Sequence, residues 1–299
     1  MRARALLPYA FVTEPFTEAH HEAARALARA RALLVTAGAG MGVDSGLPDF
    51  RGNEGFWNAY PPYRARGLSF AELANPRWFR TNPRFAWGFY GHRLNLYRAT
   101  KPHAGFAVLR RWGSRMRAGA FVFTSNVDGQ FQRAGFAEDR ILECHGSLHH
   151  AQCTEPCTEV VRDAAPLRVV VDAEFLAAEP LPRCPACGAL ARPNVLMFGD
   201  GAWVSARTDA QEARYERWLA TLPDDGSLAV VELGAGTAVP TVRLTGELIQ
   251  RRKGATLIRI NVREPEGPPG TIGLAAGAAE TLAAIDACLA RMDDDGAAP

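Results

Sequence analysis

ALLVTAGAGMGVDSGLPDFRG, residues 32–52, opens with a short apolar run and then turns abruptly to glycine. An apolar run without polar alternation, stopped by a glycine turn, is the pattern of a parallel strand buried on both faces. Gly38, Gly40 and Gly42 give a backbone that can turn sharply and come close to a pyrophosphate. On its own such a turn is a weak signal, because many are turns and nothing more. The segment that follows, from Asp44 through Asp49, Phe50 and Arg51 to Gly52, is polar and broken by Pro and Gly. It cannot sustain a long helix and suits contact with a ligand better than packing.

The same apolar pattern returns at 121–124, 228–233 and 256–260, and helical periodicity falls at 17–31, 105–117, 239–252 and 276–291. Strands alternating with helices predict an α/β fold: a doubly wound parallel, Rossmann-like sheet. Ligands of such sheets bind at the carboxyl ends of the strands. Two stretches break the alternation. Residues 53–101 are rich in Trp, Tyr, Phe, Asn and Pro and read as a helical insertion or lid, while 149–193 carries two cysteine pairs. The expected division is a discontinuous dinucleotide-binding domain over 17–52, 102–148 and 194–291, with those two segments inserted. Residues 293–299, DDDGAAP, read as a solvated tail.

With 47% hydrophobic and 22% charged residues in 299, the composition is that of a globular protein. The formal net charge is +2 and no Lys/Arg run stands out, so neither nucleic acid nor a membrane surface is an expected partner. No segment approaches the roughly 18 apolar residues that span a bilayer. In residues 1–16 Pro8 cuts the apolar run, and Glu14 and Pro15 stand where a cleavage site would need small residues. This reads as an arm rather than a leader, and the protein is expected to be cytoplasmic.

Cys153-x3-Cys157 and Cys184-x2-Cys187 supply four thiolates, the set for one tetrahedral, structural Zn²⁺ per chain. The rival reading, a redox Cys-x-x-Cys, has no second thioredoxin-like feature beside it. His149 and His150 are near enough in sequence to be alternative ligands. Cys144 and Cys288 stand alone and read as core thiols.

GAGMGVDSGLPDFRG at 38–52 closely resembles the signature of the sirtuin family of NAD⁺-dependent protein-lysine deacylases. Further family-like motifs follow in order: TSNVDG at 124–129, ECHGS at 143–147, RPNVLMFGD at 192–200, LGAGTAVP at 233–240, and RIN ending at Asn261. The resemblance covers roughly residues 32–261. It implies an NAD⁺ site built from Gly38, Ala39, Gly40, Asp49, Phe50, Arg51, Ser125, Asn126 and Asp128, with Gly234, Gly236, Thr237 and Asn261 on the adenosine side.

The resemblance also makes His145 the catalytic base, with Asn126 and Asp128 orienting the reactive ribose carbon. Taken alone, His145 is a histidine at a strand end whose ordinary pKa near 6.5 lets it accept a proton at neutral pH. In the implied mechanism the acyl oxygen of the substrate lysine displaces nicotinamide, and His145 then activates a ribose hydroxyl. Val195, Phe198 and Gly199 are implied to pair with an acylated-lysine protein or peptide. Tyr90 and Arg93, at i and i+3, resemble the pair with which some sirtuins hold succinyl or malonyl groups. They read equally well as a plain helix face with an aromatic anchor and a solvated arginine.

Three positions depart from the family pattern. Gly42 stands where serine is usual, Ser125 where glutamine is usual, and Phe131 where histidine is frequent. The departures leave room for a mono-ADP-ribosyltransferase or an NAD⁺ glycohydrolase on the same fold. A sensor that holds NAD⁺ or ADP-ribose without turnover is the third reading. His145, Asn126 and Asp128 speak against it, since a sensor needs no base.

Overall fold

A computed structural model describes residues 16–48 and 52–296. Its main sheet has six parallel strands in the order β3-β2-β1-β7-β8-β9. These are β1 (Ala32–Ala37), β2 (Ala120–Thr124), β3 (Ile141–Glu143), β7 (Leu228–Leu233), β8 (Thr256–Ile260) and β9 (Ile272–Leu274). All six residues of β1 and all six of β7 are buried, as their largely apolar sequence suits in central strands; the buried Glu232 of β7 is paired with Arg259. Three helices cover one face: α1 (Glu18–Arg29), α7 (Ala104–Arg115) and α11 (Ala278–Gly296). Two more, α9 (Ala206–Ala220) and α10 (Thr241–Lys253), cover the other. The doubly wound architecture expected from the sequence is therefore present. The expected tail is helical at its start: α11 continues through Gly296 with Asp293 and Asp294 exposed, and 297–299 lie outside the described residues. Among the described residues no helix is long and apolar enough to cross a membrane.

The two insertions pack together as one small lobe. Residues 53–101 form α2 (Gly52–Ala59), α3 (Pro61–Ala65), α4 (Phe70–Leu73), α5 (Arg77–Thr81) and α6 (Pro83–Ala99) around buried Phe56, Tyr60, Tyr63, Phe85, Trp87 and Phe89. The cysteine segment adds an antiparallel sheet in the order β5-β4-β6, from β4 (Gly146–Cys153), β5 (Arg162–Asp163) and β6 (Ala191–Val195). Helix α6 is the seam between them. Trp87 Nε1 donates to the Ala191 carbonyl at 2.9 Å, and Asn95 Nδ2 donates to that of Val169 at 2.9 Å. Gly88 and Gly91 permit the approach: a Cβ at Gly88 would lie 1.8 Å from the Phe175 carbonyl oxygen, and one at Gly91 would lie 2.4 Å from Val169 Cγ1. Each glycine in a helix interior costs roughly 0.5–1 kcal/mol relative to alanine, and here the return is close packing between the two insertions.

Candidate active site

Strand register brings the sequence motifs to one edge. Ala37 is aligned with Thr124 on β2 and Leu233 on β7; Thr124 is aligned with Glu143, and Leu233 with Ile260. The residues that follow, Gly38, Ser125, Cys144, Gly234 and Asn261, therefore leave the sheet side by side. Strand β1 is central, with β2 on one flank and β7 on the other, so the glycine loops flank the position where the strand order reverses. In open α/β sheets that crevice is where ligands sit.

The loops after β1 and β7 interlock through bare backbone. Gly38 N–H donates to the Leu233 carbonyl at 2.9 Å, and Gly40 N–H to that of Gly234 at 3.0 Å. A Cβ on Gly38 would stand 2.8 Å from Ala235 Cα, and one on Gly234 would stand 2.4 Å from Gly40 Cα. The broken, polar stretch after Gly38 forms a 3-10 helix, Ala39–Ser45, ended by Gly46 at φ 85°. Asp49, Phe50 and Arg51 lie outside the described residues. After β8, Asn261 Nδ2 donates to the Ala235 carbonyl at 2.7 Å, and its Oδ1 accepts from the Arg263 and Glu264 amides. Thr237 Oγ1 donates to Glu264 Oε1 at 2.8 Å, tying the loop that contains Gly236 to the loop after β8.

After β2 the backbone is folded by its own polar side chains. Thr124 Oγ1 donates to the Ala37 carbonyl and accepts from the Asn126 amide, and Asn126 Nδ2 donates to the Gly38 carbonyl at 2.9 Å. Asp128 is buried and accepts the Gln130 amide at 2.9 Å. Burial pushes its carboxyl up to about 6; the Gln130 amide opposes this, Glu143 adds to it, and the charge of Arg93 works against it. His145 is half-buried between β3 and β4. Burial holds its pKa below the ordinary histidine value, and the nearby backbone of Ser125 acts in the other direction. A neutral imidazole at this edge is poised to take a proton.

Two histidines that sequence reading did not assign to the site support it. His103 Nε2 is 3.0 Å from the Met41 carbonyl, while its Nδ1 accepts the Gly105 amide. It thus caps α7 and holds the 3-10 segment at once. His149 Nε2 is 2.9 Å from the Asp128 carbonyl, so this residue braces the TSNVDG loop rather than the metal site. The sequence signal for His103 was its place just before a helical pattern, where side chains cap. Nothing local marked His149.

The departures from the family pattern have packing explanations at two positions. Phe131 is buried against Phe106 and Phe136 in the main core. A Cβ at Gly42 would meet Leu47 Cδ1 at 3.0 Å. Nothing in the structure explains serine at 125, whose contribution is its backbone.

Tyr90 and Arg93 are both buried on α6, so the solvated arginine of the plainer reading is not what the structure has. The Tyr90 ring stacks on Phe79. The Arg93 guanidinium donates to Tyr97 Oη at 3.0 and 2.7 Å, among the rings of Phe70, Phe89 and Tyr97. Val195 is buried at the end of β6, Phe198 is 43% exposed, and Gly199 turns the chain at φ 70°. That loop is fastened by Phe198 N–H to the Ala74 carbonyl and by Leu196 N–H to that of His145.

The four cysteine sulfurs lie within 4.8 Å of one another, with Cys153–Cys187 at 3.6 Å and Cys157–Cys184 at 3.7 Å. Zn–S bonds of about 2.3 Å give a tetrahedron with edges of about 3.8 Å. The cluster therefore fits zinc in size and donor chemistry. The amides of Ala186 and Cys187 bring the Cys184 thiol down to about 7, toward the thiolate a metal requires. Cys288 is a buried core thiol, whereas Cys144 is half-buried.

A family model described as "Sir2 family" matches residues 38–217. An NAD-dependent protein deacylase of Pyrococcus abyssi is 33% identical over 249 residues, 81% of this chain and 86% of the relative. NAD-dependent protein deacylase 1 of Pseudomonas aeruginosa is 34% identical over 236 residues, 79% of this chain and 84% of the relative. Among solved structures, a Sir2 homologue in complex with NAD matches with a TM-score of 0.67 and 25% identity, covering 91% of this chain and 94% of the other.

Proposed function

Since the chain belongs to the Sir2 family, we propose that it is an NAD⁺-dependent protein-lysine deacylase, releasing nicotinamide and O-acyl-ADP-ribose. The observation that carries this reading is the position of His145. It lies half-buried just after β3, on the strand edge where Asn126 reaches Gly38. In this reading NAD⁺ lies along the glycine loops after β1 and β7, with the adenosine toward Asn261. Asn126 and Asp128 orient the nicotinamide ribose, and His145 takes the proton of the ribose hydroxyl that attacks the acyl group. Phe198 and Gly199 border the acyl-lysine peptide. The four cysteines hold zinc away from the reacting atoms, where it stabilises the small lobe.

The rival reactions share the loss of nicotinamide and differ in the acceptor. Nothing in the surroundings of Gly42 or Phe131 favours them, since both positions answer to packing. Mass spectrometry of NAD⁺ products with a panel of acyl-lysine peptides separates the cases. O-acyl-ADP-ribose formed in step with deacylated peptide is the expected result. ADP-ribose attached to protein, or free ADP-ribose made without peptide, would overturn the proposal.

A further inference from the structure

In the main sheet β3 pairs with β2 on one side and stands at the edge on the other. Buried backbone groups at such an edge need partners from elsewhere. At Glu143, the last residue of β3, side chains of α9 take the place of the missing strand. The Glu143 N–H donates to Gln211 Oε1 at 3.1 Å, and Thr208 Oγ1 donates to the Glu143 carbonyl at 3.3 Å. Arg207 Nη2 meets Glu143 Oε2 at 2.6 Å and Glu138 Oε1 at 2.7 Å. Glu143, Thr208 and Gln211 are all buried. The helix is itself anchored just ahead of its first turn, where Gln152 on β4 donates to the Ala202 carbonyl at 2.8 Å and accepts the Val204 amide at 3.0 Å. Beyond Glu143, the Cys144 N–H donates to the Thr124 carbonyl at 2.9 Å and the His145 carbonyl accepts the Leu196 N–H at 3.0 Å. The main chain that bears the His145 imidazole is therefore fixed by β2, by the loop after β6 and, at Glu143, by α9.

We propose that Glu143 is a positioning residue for His145: α9 fixes it at the sheet edge, and through two peptide bonds it sets where the imidazole stands. The consequence for turnover rests on the deacylase reading, while the placement of the imidazole rests on the backbone geometry alone. Misplacing a reacting group by about 1 Å can cost about 100-fold in rate, so a slight loosening of this grip is enough to matter. The charge of Glu143 also raises the Asp128 carboxyl, and the variants below separate that influence from the hold on the backbone.

The experiment uses full-length protein with ¹³C-labelled histidine. Gln211→Met and Thr208→Val, close in volume but without the two hydrogen bonds, are made singly and together. Thr208→Ser keeps the hydroxyl, and Glu143→Gln keeps the backbone bonds while removing the charge. In the double variant the imidazole signal of His145, assigned through His145→Ala, is expected to move, while those of His20 and His21 on α1 stay in place. Its kcat for acyl peptide should fall by about 10- to 100-fold, with KM for NAD⁺ nearly unchanged. Thr208→Ser should stay close to wild type, and Glu143→Gln should lose less than the double variant. If the double variant does not fold, Gln211→Met, which cuts the shorter backbone bond, is read in the same way. An unmoved His145 signal or an undiminished kcat in the folded variant would overturn the proposal. So would a larger loss in Glu143→Gln, which would give Glu143 a role through its charge instead. Wild-type protein that turns over no acyl peptide would sink the deacylase reading, and the His145 signal would still decide whether α9 places the imidazole.

Discussion

Arg192 grips Asp200 through two hydrogen bonds of 2.7 and 2.9 Å, and both side chains are sealed from solvent. Asp200 also accepts the Met197 and Ala202 amides, so the pair folds the loop that presents Phe198 and Gly199. Asp200→Asn leaves the Arg192 charge buried without its partner, a change worth about 3–5 kcal/mol. The urea midpoint should fall accordingly, and KM for acyl peptide should rise more than that for NAD⁺. An unfolding free energy within about 1 kcal/mol of wild type, the scale of a surface pair, would refute a structural role for the pair.

His145→Ala should lower deacylation at least about 100-fold while leaving NAD⁺ affinity nearly unchanged, as for a lost general base. Because burial disfavours the imidazolium, the active neutral form persists below the ordinary histidine value. The acid limb of kcat/KM should therefore fall below pH ~6.5. A limb centred above neutrality would be incompatible with His145 as the base.

The burial of Asp128 comes at a cost in stability. Its carboxyl titrates near 6 in the folded protein against 3.8 ordinarily. Between those values the unfolded chain has lost the proton and the folded chain retains it, so stability falls as pH rises. The penalty is complete above about pH 6, where it reaches at most about 3 kcal/mol. Asp128→Asn should thus stabilise the protein at pH 7, lose that gain toward pH 4, and sharply reduce turnover. Denaturation curves at both pH values decide it; a gain independent of pH would remove the argument.

Purified protein should hold close to one zinc per chain, and Cys184→Ser should lower both zinc content and stability, because metal binding and local folding are coupled. Given the α6 seam, protease sensitivity should appear on both insertions after chelation. Metal analysis showing no zinc in unchelated protein would end this reading.

Arg93→Met tests acyl choice. A charge-assisted contact is worth about 1.5–3 kcal/mol, so loss of succinyl-lysine turnover should exceed loss of acetyl-lysine turnover by roughly 10- to 150-fold, chiefly in KM. Arg93 also lowers the Asp128 carboxyl through its charge. Equal losses on both substrates would assign it that electrostatic role alone.

The strands that carry the site were legible because a buried parallel strand is mostly apolar, and β1, β2, β7 and β8 are so, the charges of Glu232 on β7 and Arg259 on β8 being paired with each other. The cysteine quartet was legible because its spacing is fixed by the ion. Strands β4 and β6 were not, since HHAQC and ARPNV owe their form to pairing across some 40 intervening residues, which no local pattern records. Helix α9 was missed because ARTDAQEARYERWLA is strongly polar and buries chiefly Tyr215, Trp218 and Leu219. Among the candidate site residues, the glycines, Asn126 and Asp128 stood out through the family resemblance, since turn chemistry alone reads them as plain turns. His149 did not, because its hydrogen bond to the Asp128 carbonyl exists only once β4 has folded back.

The seam at Gly88 and Gly91 makes the two insertions a single heritable unit. They leave the main domain at separate points in the chain, yet they meet at contacts too close for even one added carbon, Gly88 against the Phe175 backbone and Gly91 against the Val169 side chain. A chimera that exchanged residues 149–193 with a relative's while keeping this α6 would fit only if the incoming segment brought its own Phe175-like carbonyl to the same groove. Recombination between relatives should therefore succeed when both insertions travel together and fail when either travels alone.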